Sequence, residues 1–134
     1  MLINCHMRPN SSCWNFIIYK YKGGKAKKQF ETSGYGLEKI QFYKKTKTLK
    51  IRFRGHGHET FDYYRLKKGE YEGIVMKYRN SVAGGAEENT PWMYYTIDNK
   101  GPGVEISKSD FNGKLKGLLK GKTISTNAWK WKQM

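Results

Sequence analysis

The sequence predicts an α+β fold: a twisted antiparallel β-sheet of about five or six strands, one short central helix and a C-terminal helix lying on the sheet. Three observations lead there. Short aromatic and β-branched runs recur between turn clusters along the chain, the pattern of half-buried strands. Within one of them Leu49, Ile51 and Phe53 alternate with Lys50, Arg52 and Arg54, a period of two that sends the apolar set to the core and all three cations to the other face. Two further stretches carry apolar residues at helical spacing, Tyr71, Ile74, Val75 and Tyr78 in one and Phe111, Leu115, Leu118 and Leu119 in the other. With 134 residues and 37% hydrophobic content, the chain has material for one modest core and hence one domain.

Residues 1–32 read as a basic N-terminal extension with a hairpin in it. Trp14 to Tyr21 is aromatic and β-branched, Lys22-Gly23-Gly24-Lys25 is a turn, and Lys25 to Phe30 is the return strand. Leu37 to Tyr43 and Thr48 to Arg54 form a second hairpin around the polar turn Lys44-Lys45-Thr46-Lys47. The turn Gly55-His56-Gly57-His58-Glu59 leads to a third central strand, Thr60 to Leu66. The helix over Tyr71 to Tyr78 stops near Asn80-Ser81 and runs into a Gly84-Gly85 loop. Trp92 to Ile97 is another strand, closed by a turn over Asp98 to Gly103. Ser107 or Ser109 caps the final helix, with Asp110 in its first turn. Gly113, Gly117 and Gly121 recur along it, each costing about 1 kcal/mol against alanine, so this helix needs tertiary packing to persist. Trp129 and Trp131 flank Lys130 in an aromatic tail.

Lys and Arg number 26 against 11 Asp and Glu, a formal net charge of +15. Solubility asks for a magnitude of roughly 2–8 in a small domain. The surplus makes the compact state repel itself, so the expected reason to carry it is a polyanionic partner. No apolar run of about 18 residues occurs, which excludes a helical membrane span. Met1 to Pro9 lacks the basic start, apolar stretch and small-residue cleavage site of a secretory leader, so the expected location is a cytoplasm, bacterial or that of an infected host. Cys5, Cys13 and His6 fall short of the four ligands of a zinc site; reduced thiols, no metal and no cofactor are expected.

Leu37-Glu38-Lys39-Ile40, Tyr43, Thr48-Leu49-Lys50-Ile51-Arg52-Phe53, the aromatic strand around Tyr63-Tyr64, and Tyr71-Glu72-Gly73-Ile74-Val75 follow one another in this order. The stretch resembles the KTSC domain, a short module found at the C-terminus of some lysyl-tRNA synthetases and alone in small bacterial and phage proteins. The likeness covers roughly residues 33–85. It implies a compact α+β core there, flanked by residues 1–32 and by a C-terminal strand, helix and Trp-containing tail over 86–134. It also implies an RNA-linked context, and it carries over no catalytic residues.

Binding is the first functional expectation. Lys44, Lys45, Lys47, Lys50, Arg52 and Arg54 fall on one predicted hairpin, Arg65, Lys67 and Lys68 follow closely, and Tyr43 and Tyr63 interleave with them. Cations neutralise phosphates and release counterions, and tyrosine faces stack unpaired bases at about 1–3 kcal/mol each, so the mixture fits a nucleic acid, RNA ahead of DNA. No zinc-finger, helix-turn-helix or RNP signature accompanies them, which points to contacts without sequence specificity. A solvated, lysine-defended strand edge is the plainer account of the same residues. A second reading, with less weight, is a metal-independent ribonuclease toxin using His56, His58 and Glu59, with Asp62 nearby and Arg54 or Lys67 to hold phosphate. A third is a phage-type inhibitor whose charge meets a host nucleic-acid-processing complex. The segment Lys114 to Lys120 is cationic and amphipathic, and its leucines are read as a buried face ahead of a lipid-surface segment.

Overall fold

The structure is a computed structural model. It describes residues 2–7, 13–55, 57–80, 90–99 and 101–127, with side chains at all of these except 2–7, 13–16, 33–36 and 125–127. Tight turns set its topology. Gly23 and Gly24 both hold positive φ, 61° and 77°, the pair of left-handed residues that a two-residue hairpin turn needs if it is to follow the right-handed twist of its strands. They join β2 (Cys13–Lys22) to β3 (Lys25–Tyr43). Lys68 and Gly69, at 49° and 80°, do the same between β5 (His58–Lys67) and β6 (Glu70–Asn80). The lysine-rich turn ends on Lys47 at φ 57° and feeds β4 (Thr48–Gly55). With β1 (Leu2–Met7), β7 (Met93–Asp98) and β8 (Gly101–Ile106), consecutive strands pair antiparallel from β1 through β8. A ninth strand, β9 (Thr123–Asn127), pairs with the end of β3 from Lys39 to Tyr43.

The described residues are therefore mostly antiparallel sheet, which corrects the α+β expectation at both of its helices. The stretch read as a central helix is β6. Tyr63 pairs with Val75 but Tyr64 pairs with Gly73, leaving Ile74 as the extra residue of a β-bulge that reverses side-chain parity. Tyr71 consequently packs with one core cluster and Val75 with the other. A bulged strand thus imitates helical spacing, and pairing to β5 and β7 on its two edges decides the matter. The second helix expected lies neither at the C-terminus nor along the full leucine stripe. The helix α1 runs only from Lys108 to Leu115. Gly117 and Gly121 then adopt φ of 80° and 85°, a left-handed conformation that ends a helix, and the chain re-enters the sheet as β9. The strands read separately at Lys25 to Phe30 and Leu37 to Tyr43 are two parts of β3. The turn read over Asp98 to Gly103 is shorter, because Gly101 to Gly103 already belong to β8. The Gly84-Gly85 loop, His56, the Cys5 and Cys13 side chains and the Trp129–Trp131 tail lie outside the described residues.

The length of β3, 19 residues, decides where the core sits. Its second half lies beside β4, from Leu37 opposite Phe53 to Tyr43 opposite Thr48. Its first half, paired with β2, crosses over the sheet, so that Phe30 meets Tyr64 at 4.8 Å and Tyr71 at 5.5 Å between ring centroids. Ile18, Phe30, Leu37, Ile40, Leu49, Ile51 and Tyr64 fill the space between. Burial of each aliphatic side chain here stabilises by about 1.5–3 kcal/mol. The opposite sheet face is covered at one end by α1, whose Phe111 packs on Tyr63 (5.7 Å) and Tyr94 (4.8 Å), with Val75 and Leu115 in the same cluster. Ser107 Oγ accepts the Asp110 backbone N–H at 3.0 Å and so caps the helix.

Candidate polyanion-binding face

Beyond α1 the same sheet face is lined with cations, and strand register explains why. Gln41 stands opposite Lys50, Arg52 opposite Phe61, Phe61 opposite Lys77 and Glu59 opposite Arg79, so four neighbouring strands present these side chains to one side. Phe61 sits at the middle. Its ring centroid lies 4.8 Å from Lys50 Nζ, 5.0 Å from Lys77 Nζ and 5.5 Å from the Arg52 guanidinium carbon. Trp92, 5.8 Å from Phe61, carries Lys77 at 4.3 Å and Arg79 at 4.4 Å. The negative faces of the rings attract cations and so gather charges that would otherwise spread apart. A concavity of about 210 Å³ opens among Lys39, Gln41, Lys50, Arg52 and Phe61.

One carboxylate organises this group. Glu59 is 2% exposed and is gripped from both sides. Arg52 donates Nε and Nη2 to its Oε2 (2.8 and 2.5 Å), and Arg79 donates Nε and Nη2 to its Oε1 (2.9 and 2.6 Å). Burial alone would raise the Glu59 pKa, but the hydrogen bonds from Arg79 and Arg52 outweigh it and hold the carboxyl below its ordinary value. Arg52 also reaches Glu38 at 3.5 Å. Among the described residues, Lys39, Lys50, Arg52, Lys77 and Arg79 therefore share the face with two carboxylates, Glu38 and Glu59. The excess shows in the lysines. Burial, then the charges of Lys39 and Arg52, lower the Lys50 pKa. Burial and the charge of Lys50 lower that of Lys77, with Arg79 and Lys108 adding to this and Glu59 opposing it. Burial is the larger cause in both, and an arriving anion would offset it together with the repulsion from the neighbouring cations.

The residues expected from sequence divide into three places. Lys50 and Arg52 lie at the centre of the face, and Arg54 stands farther along β4, opposite Glu59. Lys44, Lys45 and Lys47 in the turn and Arg65, Lys67 and Lys68 at the end of β5 form a basic rim at one edge of the sheet, joined where the Leu66 N–H donates to the Lys47 carbonyl (3.0 Å). Lys67 has Glu72 at 3.9 Å. Tyr43 is half-buried, and burial raises its pKa. Tyr63 is 3% exposed beneath Phe111, so its ring is closed to a base.

The catalytic candidates do not converge among the described residues. His58 and Glu59 are successive strand residues and so face opposite sides of the sheet. His58 Nδ1 is bonded to the Tyr78 hydroxyl at 2.8 Å, and both Glu59 oxygens are occupied. His56 lies outside the described residues.

Sequence reasoning missed Lys39, Gln41, Phe61, Lys77, Arg79 and Trp92. A signal for two of them was present, since Val75, Lys77 and Arg79 alternate with Met76 and Tyr78; the helical reading of that stretch hid it. Among the described residues no helix is long and apolar enough to cross a membrane, and no three His, Cys, Asp or Glu side chains gather as metal ligands would. No family model matches the chain, and neither a curated protein nor a solved structure matches it.

Proposed function

We propose that the protein binds nucleic acid, RNA ahead of DNA, through phosphate contacts without sequence specificity on the sheet face that α1 leaves open. The supporting observation is the gathering of Lys39, Lys50, Arg52, Lys77 and Arg79 around Phe61 and Trp92, with two carboxylates, Glu38 and Glu59, against them among the described residues. Cations release counterions from a phosphate backbone, and half-buried rings beside them favour the exposed bases of single strands. The basic rim of Lys44, Lys45, Lys47, Arg65, Lys67 and Lys68 lengthens the track, and the resemblance to the KTSC domain points to the same kind of partner. Arg52 and Arg79 serve as scaffold through Glu59, which leaves Lys39, Lys50 and Lys77 as the freer phosphate ligands, Lys50 and Lys77 being the two against Phe61.

Fluorescence anisotropy of labelled single-stranded RNA and DNA across a salt series tests this, with the wild type and a Lys50→Gln/Lys77→Gln variant compared. Each single-strand phosphate contact adds roughly 0.7 to the log–log salt slope, so the variant is expected to bind more weakly at low salt with a slope reduced by about 1.4. Equal affinity and equal slope in a variant whose melting is unchanged would overturn the reading.

A further inference from the structure

The core between the β2–β3 hairpin and the sheet is open at one end. A hollow of about 370 Å³ there is walled by Tyr19, Phe42, Leu66, Tyr71 and Ile124. Phe42 and Tyr71 continue the buried cluster outward, while Ile124 is 43% exposed. The Gln29 side-chain amide donates to the Gly69 carbonyl at 3.3 Å, tying the overhanging hairpin to the β5–β6 turn and bounding the opening. Lys20 and Lys44, both exposed, complete the lining, and no carboxylate joins it among the described residues. Apolar walls with a few polar groups at the rim, at this volume, are the usual construction of a small-molecule site, and the open end of a curled sheet is a usual place for one. The rim decides the sign of the occupant, because two ammonium groups without a carboxylate disfavour a cationic head and reward an anionic one.

We propose that this hollow binds an amphipathic anion, a ligand with an aliphatic body against Phe42, Tyr71 and Ile124 and a single anionic head between Lys20 and Lys44, the chemistry of a medium-chain carboxylate. The site lies on the opposite face of the sheet from the Lys50 and Lys77 cluster and shares only the rim residue Lys44 with the nucleic-acid track, so the head-group comparison on the wild type and the Lys20 and Ile124 variants test it apart from nucleic-acid binding. Titration calorimetry of the full chain with decanoate, decan-1-ol and decyltrimethylammonium separates head from body. Decanoate is expected to bind most tightly, the alcohol next and the cation least. Lys20→Gln and Lys44→Gln should each weaken decanoate about fivefold, the scale of an exposed ion pair, and leave the alcohol unchanged. Ile124→Gln should weaken decanoate and the alcohol alike by about tenfold, through lost apolar contact. All three side chains are exposed, so the variants keep the fold, and the comparison of the three ligands on the wild type needs no variant. Failure of decanoate to bind, binding of the cation as tight as that of decanoate, or full decanoate affinity in Ile124→Gln would each overturn the assignment.

Discussion

Asp62 lies on the core face of β5, opposite Ile51 and Met76, and its Oδ1 is buried with no hydrogen-bond partner among the described residues. Burial lifts its pKa from the ordinary 3.8 to about 7. Asp62→Asn keeps the shape and removes the titration. In the unfolded chain the carboxyl loses its proton near its ordinary value, so from about pH 4 to pH 7 the folded state holds a proton that the unfolded state has released. The stabilisation is complete below about pH 4 and is lost as the pH rises through about 7. At about 1.4 kcal/mol per pKa unit, the gap between 3.8 and about 7 amounts to at most ~4 kcal/mol, a large share of the roughly 5–15 kcal/mol that holds a domain folded. The Asn variant should therefore gain on the wild type by up to that amount between about pH 4 and pH 8. Urea unfolding followed by tryptophan fluorescence reads the difference. With a slope of about 1–3 kcal/mol per molar urea, the two midpoints should draw apart by about 1 M or more over that range. Comparing the two proteins at each pH cancels the titration of other groups. A midpoint difference independent of pH would refute the argument that burial governs Asp62.

Glu59→Gln leaves two half-buried guanidinium groups without their carboxylate and should cost about 3 kcal/mol at neutral pH in denaturant unfolding. Because the Glu59 pKa is lowered, its stabilisation is present above the ordinary carboxyl range and lost as the pH falls through the depressed value, so wild type and variant should converge in acid. Gly73→Ala places a Cβ against the Ile97 side chain, an overpacking expected to cost about 1–3 kcal/mol, and Ile97→Ala in the same chain should restore part of the loss in a melting experiment. Lys68 occupies a left-handed position beside Gly69, where asparagine is better suited. Lys68→Asn should raise Tm by about 2 °C, and a fall would contradict the turn assignment.

What was legible in the sequence was local and periodic. The alternation of Leu49, Ile51 and Phe53 with Lys50 and Arg52 is reproduced strand for strand, with Leu49 and Ile51 in the core and the cations on the other face beside Phe61. The Gly23-Gly24 turn is where two adjacent glycines place it. Tyr71 to Tyr78 was misread because a single inserted residue, Ile74, shifts the period of two into one that resembles a helix. The lower part of the leucine stripe was misread because Gly117 turns left-handed after only eight helical residues.

Composition and spacing by themselves determined that the chain is strongly basic, that it alternates into strands and that Lys50 and Arg52 leave the core, since side-chain parity along an extended backbone is a property of neighbouring residues. Only the tertiary structure decided that the cations of β4 meet Lys77 and Arg79 across Phe61. It also decided that Glu59 belongs to two arginines rather than to His58, and that α1 closes Tyr63 while leaving the rest of that face open. Those outcomes depend on which strands lie side by side and which segments fold over them, and these are long-range pairings that no local period encodes.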